Sequence, residues 1–182
     1  MISADCPFDR RYAPNLRKTP AQSRTISEGL LRMIDNLDRK LLAVLQHDAS
    51  LSLAELSERV GLSRSACGRR LQRLEEEGIL KARVALLDAP KMGLPLTVFI
   101  SVKTNQHNAE WAKQFRAVVE SLPGVLEVYR MGGEIDYLIK AVVADMPGYD
   151  LLYQQLIRAD LFDVSAGFVM EEMKKTTALP LY

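Results

Sequence analysis

Apolar residues first fall into a regular pattern at Ile34, and the period of that pattern changes near the middle of the chain. Leu37, Leu41, Val44 and Leu45, with Leu42 beside them, recur at helical spacing and predict a first helix that ends near His47. Ser52-Leu53-Ala54-Glu55 is a capping box, in which the serine hydroxyl takes an amide of the first turn and the glutamate reaches back. It opens a second, short helix with Leu53, Leu56 and Val60 as its stripe and Gly61 as its stop. Ser63 then caps a third helix predicted to run to Glu77, with Gly78 ending it. Two short helices about a tight glycine-bearing turn make a helix-turn-helix unit.

Ile79 to Leu87 reads as a strand, and the Pro/Gly-rich residues 89–95 read as a hinge. Beyond it, Leu96 to Thr104 predicts a strand, Ala109 to Leu122 a helix with Trp111, Phe115, Val118 and Leu122 on one face, and Val125 to Met131 a strand. Gly132-Gly133 supplies a hairpin turn, then Ile135 to Val143 predicts a strand, Pro147 to Ala159 a helix, and Val164 to Glu171 a last strand. The fold class is therefore α+β: an N-terminal, winged-helix-like helix-turn-helix domain over 34–88 and a C-terminal ferredoxin-like βαββαβ domain over 96–182. Two helices on one face of a sheet leave the other face to be covered, and a second copy of the chain is the simplest cover. A homodimer also supplies two recognition helices about a two-fold axis, as a pseudo-palindromic site requires.

Residues 1–33 hold three prolines, scattered arginines and no sustained period. Two readings stand: a flexible basic arm that tracks DNA phosphates, or an extension upstream of a natural start at Met33.

The net charge of +1 changes meaning once it is located. Arg59, Arg64, Arg69, Arg70 and Arg73 fall in one window with no acidic residue between them, before Glu75, Glu76 and Glu77. Cys67, Leu71 and Leu74 share one face of the third helix, which sends the other side chains elsewhere. Base reading is assigned to Ser63, Arg64, Ser65, Gly68 and Arg69, because an arginine fork meets guanine O6 and N7 and a recognition helix inserts its first turns. Arg59 and Arg73, farther from the tip, are assigned to phosphates. Double-stranded DNA is thus the expected partner. Two cysteines, Cys6 and Cys67, give no disulfide framework, and neither they nor His47 and His107 have metal-ligand spacing; no metal and no cofactor is expected. There is no apolar run long enough to span a bilayer and no secretory leader, so the expected compartment is the cytoplasm. An enzyme would need a nucleophile, an acid/base pair or a phosphate loop, and no such motif is found.

Met131-Gly132-Gly133-Glu134-Ile135-Asp136-Tyr137 leaves two readings open. Exposed glycine amides could receive a carboxylate and Asp136 or Glu134 an ammonium, which are the parts for a free amino acid; equally, a hairpin turn needs glycine.

The stretches IDNLDRKLLAVLQHD, LAELSERVGLSRSACGRRLQRLEEEGIL, VALLD, GGEIDYLIKAVVADMPGYD and FVMEEMKKTTALP together resemble the Lrp/AsnC (leucine-responsive, feast/famine) family of prokaryotic transcription regulators over about residues 34–180. The resemblance implies a sequence-specific regulator of amino-acid metabolism genes that responds to a free amino acid. It also implies dimers built through the ferredoxin-like domain and assembled into tetramers or octamers. An architectural protein that compacts DNA without a particular operator is the alternative. Carried over by residue, the effector site takes Gly132, Gly133, Glu134, Asp136 and Tyr137, with Met146, Gly167, Phe168 and Val169 implicated in the response. His107 to Trp111 and Lys175-Thr176-Thr177 resemble a branch linked to sulfur amino acids, which puts cysteine beside a branched-chain amino acid as effector. Ala66 and Gly68 depart from the family pattern, where bulkier residues or proline are common, so base preference is not inherited.

Overall fold

The computed structural model describes residues 34–181, and the N-terminal arm lies outside the described residues. Contacts divide the chain into two units, one taking the residues up to Val84 together with the segment from Thr177, the other Ala85–Thr176.

In the first unit three helices follow closely: α1 Asn36–His47, α2 Leu53–Val60 and α3 Arg64–Glu76. Each start is fixed by a side chain within three residues. Asp35 and Asp38 make a reciprocal capping box on α1, Ser52 and Glu55 do the same on α2, and Ser63 caps α3. Leu41, Leu42, Leu45, Leu56, Val60, Cys67, Leu71 and Leu74 form one small buried core, so the apolar stripes of all three helices meet there. The C-terminal segment is held to α1 by an amide pair: Gln46 Nε2 donates to the Leu179 carbonyl at 3.1 Å, and the Leu179 N–H donates back to Gln46 Oε1 at 2.5 Å.

The strand expected over Ile79 to Leu87 does not form within a single chain. Ile79 and Leu80 instead close the end of α3, both donating to the Leu74 carbonyl at 2.9 Å, and the residues after them carry no regular structure. A strand needs a neighbour to complete its ladder. Here Val84, Leu86 and Leu87 are exposed, the last two 72%.

The second unit opens with a 3-10 turn at Pro90–Met92, followed by β1 Leu96–Lys103, α4 Ala109–Glu120, β2 Val125–Arg130, β3 Tyr137–Val143, α5 Met146–Leu156 and β4 Asp163–Phe168. The sheet order is β2-β3-β1-β4 and every pairing is antiparallel, the ferredoxin-like topology. Val98, Ile100 and Val102 of β1 and Ile139, Ala141 and Val143 of β3 point to one face, where they pack with Trp111, Phe115 and Val119 of α4 and Leu152 and Leu156 of α5. Gly124, before β2, is required by close approach: a Cβ there would lie 2.8 Å from the Val142 carbonyl oxygen. No helix among the described residues is long and apolar enough to cross a membrane.

Candidate nucleic-acid interface and ligand cleft

The turn between α2 and α3 is set by Gly61, whose left-handed φ of 74° lets the chain reverse while its N–H still bonds to the end of α2. Leu62 N–H closes the turn onto the Ser57 carbonyl at 2.9 Å. Ser63 Oγ accepts from the Ala66 N–H at 3.3 Å and lies 3.3 Å from Ser65 Oγ, so the first turn of α3 is capped by its own serine. With Cys67, Leu71 and Leu74 buried, Arg64, Ser65, Arg69 and Gln72 are exposed. Arg59 is exposed in the last turn of α2.

Two of the residues assigned to DNA are placed otherwise. Gly68 is half-buried, and a Cβ on it would sit 3.5 Å from Leu53 Cδ2, so it faces α2 and serves the helix contact. Arg73 is drawn back along the helix: its Nη2 donates to Asp38 Oδ2 at 2.5 Å, and its Nη1 lies 3.9 Å from Glu77 Oε1. Sequence reasoning gave no role to Arg70, whose Nη1 donates to Asp35 Oδ2 at 2.7 Å and to Asp38 Oδ1 at 2.8 Å. Asp38 is the centre of this cluster, fully buried and carrying an arginine on each oxygen. A signal for it was available, since Asp38 falls on the same helical stripe as Leu41, Leu42 and Leu45. A charge in that position has to be paired. Burial pushes the Asp38 carboxyl up, but the hydrogen bonds from Arg73, Arg70 and the Asp35 amide outweigh it and hold the group below its ordinary value. The Asp35 carboxyl is lowered first by the Asp38 amide and then by Arg70, and both guanidiniums are raised, chiefly by Asp38.

In the second unit the loop from Met131 to Asp136 is closed by the Met131 N–H donating to the Asp136 carbonyl at 2.8 Å. Gly132, Gly133 and Glu134 are exposed at its tip, with Glu134 Oε1 3.4 Å from Lys103 Nζ. The Asp136 carboxylate is already engaged, its Oδ2 accepting from the Thr104 N–H at 2.8 Å. Tyr137 is half-buried among aromatic rings, its centroid 4.7 Å from Phe115 and 5.7 Å from Trp111. Beside these residues lies a cavity of about 220 Å³, lined by Thr104, His107, Trp111, Arg130, Asp136 and Tyr137 among others. Of the residues assigned to the effector only Asp136 and Tyr137 line it; Gly132, Gly133 and Glu134 stay at the loop tip, and Met146, Gly167, Phe168 and Val169 do not join it. On β1, Tyr137 pairs with Val102 but Phe168 pairs with Val98, which puts the two groups about 13 Å apart at roughly 3.3 Å per residue. Met146 follows the far end of β3. Phe168 there packs edge-on against Tyr149 at 5.0 Å. Arg130 and Thr104 were missed because each lies at a strand end, adjacent to the cavity through the fold and not through any motif.

Family models match both units. Residues 34–75 match the AsnC-type helix-turn-helix domain, and residues 97–179 match the Lrp/AsnC ligand binding domain. The chain is 50% identical over 151 residues to the DNA-binding transcriptional activator DecR of Escherichia coli, covering 82% of this chain and 99% of that one. It is 48% identical over 153 residues to the glutamate uptake regulatory protein of Zymomonas mobilis, covering 84% and 93%. This chain belongs to the Lrp/AsnC family. Among solved structures of the family, a transcriptional regulator from Neisseria meningitidis in complex with L-methionine superposes with a TM-score of 0.76 at 38% identity, covering 80% of this chain and 96% of that one. In this Lrp/AsnC member the exposed arginine row lies within the helix-turn-helix match, and the cavity lies within the ligand-binding match.

Proposed function

We propose that this chain is a sequence-specific, cytoplasmic DNA-binding transcription regulator whose binding is modulated by a free amino acid. The observation that carries the DNA reading is the exposed row Arg64, Ser65 and Arg69 on the capped start of α3, directly after the Gly61 turn, with Arg59 at its flank for phosphates. Family membership supports it. Binding is tested with the duplex upstream of the protein's own gene against a scrambled duplex, across a salt series. A specific complex that weakens steeply with salt is expected; equal protection of both duplexes would instead favour an architectural, operator-free role.

For the effector we propose the cavity beside the Gly132–Asp136 loop. Arg130 offers an exposed guanidinium for a carboxylate, the unshared Asp136 oxygen and neighbouring polar groups suit an ammonium, and Trp111 and Tyr137 supply an apolar wall. At about 220 Å³ the space is smaller than the roughly 300 Å³ at which pockets for drug-sized ligands begin, which suits a metabolite of amino-acid size. The L-methionine complex of the Neisseria protein supports that class. Titration of the twenty amino acids by calorimetry checks it, and silence from all of them would remove the effector claim while leaving the DNA claim intact.

The functional unit we propose is a homodimer. The sheet face turned away from the helices carries Phe99, 39% exposed, and Tyr129, 49% exposed, and residues 81–88 carry exposed apolar side chains on a segment with no ladder partner. A second copy satisfies both. Sedimentation at micromolar concentration checks the state; a monomer would sink it.

A further inference from the structure

Five arginines fall between Arg59 and Arg73, yet they do not have equal freedom. We propose that Asp38 is a positioning residue that limits the phosphate contacts of α3: it holds Arg70 and Arg73 against α1, so that Arg64 and Arg69 are the α3 arginines left to meet DNA. The inference rests on the reading that α3 enters the duplex.

The geometry supports it at each atom. Asp38 is fully buried, and its two oxygens are divided between Arg70 on Oδ1 and Arg73 on Oδ2, with the Asp35 N–H also on Oδ2 at 3.1 Å. Asp35 in turn accepts from the Asp38 N–H at 2.8 Å and from Arg70 at 2.7 Å. Both carboxylates are therefore pinned to the first turn of α1 by backbone bonds and do not swing away. Moving Arg73 to a phosphate would strip a buried carboxylate of its partner, whereas a phosphate contact in water has a solvated alternative. Asp35, Ala66, Arg69, Arg70 and Arg73 line an open groove, and the half-exposed Asp35 places a negative charge in it beside Arg69. That charge opposes a phosphate approaching the inner half of the helix. Two aspartates cancel two arginines, and Glu75, Glu76 and Glu77 follow them. Phosphate contacts raise binding to every duplex equally. Withdrawing two arginines therefore lowers binding to every duplex by the same factor, and Asp38 sets the salt-dependent, sequence-independent part of the affinity.

The test uses the full chain with the operator duplex and a scrambled duplex, reading the slope of log K against log salt. Each phosphate contact contributes about 0.9 to that slope. Arg69→Gln is expected to lower the slope or the operator affinity, while Arg70→Gln and Arg73→Gln leave the slope of the wild-type chain unchanged. Asp38→Asn, which keeps the shape and removes the charge, is expected to steepen the slope by about 1 to 2 per protomer and to raise low-salt affinity for the operator and the scrambled duplex by the same factor. A flatter slope in Arg73→Gln or Arg70→Gln overturns the proposal, and because each single variant keeps the other arginine on Asp38, either one that folds decides it even if Asp38→Asn does not fold. A wild-type chain with no salt-dependent binding overturns the DNA reading itself, which is a separate result.

Discussion

The helix-turn-helix unit and the sheet unit of this chain are stabilised over different distances. In the first, every helix start is closed by a side chain three residues away, and the core is eight residues. In the second, α4 and α5 have the same kind of cap at Asn108 and Asp145, but the strands hold each other across the chain, Val102 pairing with Tyr137 and Val98 with Phe168. Among the described residues the helix-turn-helix unit has no such ladder and uses an ion cluster between α1 and α3, centred on the buried Asp38, instead. The comparison teaches where each unit is fragile: the first at one carboxylate, the second at the close approaches of its sheet.

Asp38→Ala should have the largest effect, lowering the stability of the helix-turn-helix unit by about 2 to 4 kcal/mol, because Arg70 and Arg73 lose charge-assisted hydrogen bonds and α1 loses half of its capping box. The single tryptophan, Trp111, reports the sheet unit, so urea unfolding followed by helix circular dichroism should shift while Trp111 fluorescence stays in place. Coincident shifts in both signals would remove the distinction between the units.

Gly124→Ala is the converse probe. Its Cβ would meet the Val142 carbonyl oxygen at 2.8 Å, and forcing β2 and β3 apart should cost the sheet unit about 1 to 3 kcal/mol, read in the Trp111 transition with the helix signal of the first unit preserved.

Acid should separate the units as well. The folded Asp38 carboxyl, like that of Asp35, lies below its ordinary value of 3.8, so the stability Asp38 contributes is present in full above that value and is lost as pH falls through the lower folded range, while the half-exposed Asp35 is screened and adds less. In the sheet unit Glu127 is the counterpart, lowered first by the Tyr129 hydroxyl and then by Lys140, but its side chain is 40% exposed and the coupling is screened. Melting curves between pH 6 and pH 2 should lose the helix-turn-helix transition first, and loss of the sheet first would contradict the ranking.

The smallest effect is expected from Ser52→Ala, which removes one cap of α2 and should cost about 1 kcal/mol of the same unit, measured as a shift in its denaturant midpoint.

These outcomes bear on what is legible in a sequence. The caps, the Gly61 turn, the Cys67-Leu71-Leu74 face and the βαββαβ order all follow from interactions within a few residues or from a repeat of fixed period, so they can be read along the chain. The exposed positions of Arg64, Ser65 and Arg69 follow in the same way, since a buried stripe dictates what remains outside. The strand expected at Ile79 to Leu87 fails for a related reason: β-propensity is local, but a strand exists only where another backbone meets it.

By itself the sequence determined two units, the family they belong to and the helix that carries an arginine row. Only the tertiary structure decided which arginines are available. Arg70 and Arg73 reach Asp38 across 32 and 35 residues, a pairing that depends on how α1 and α3 pack and leaves no local spacing to read. It also gathered Thr104, Arg130 and Asp136 around one cavity and left Met146 and Phe168 at the other end of the sheet, because strand register, not proximity in the chain, sets which side chains share an end.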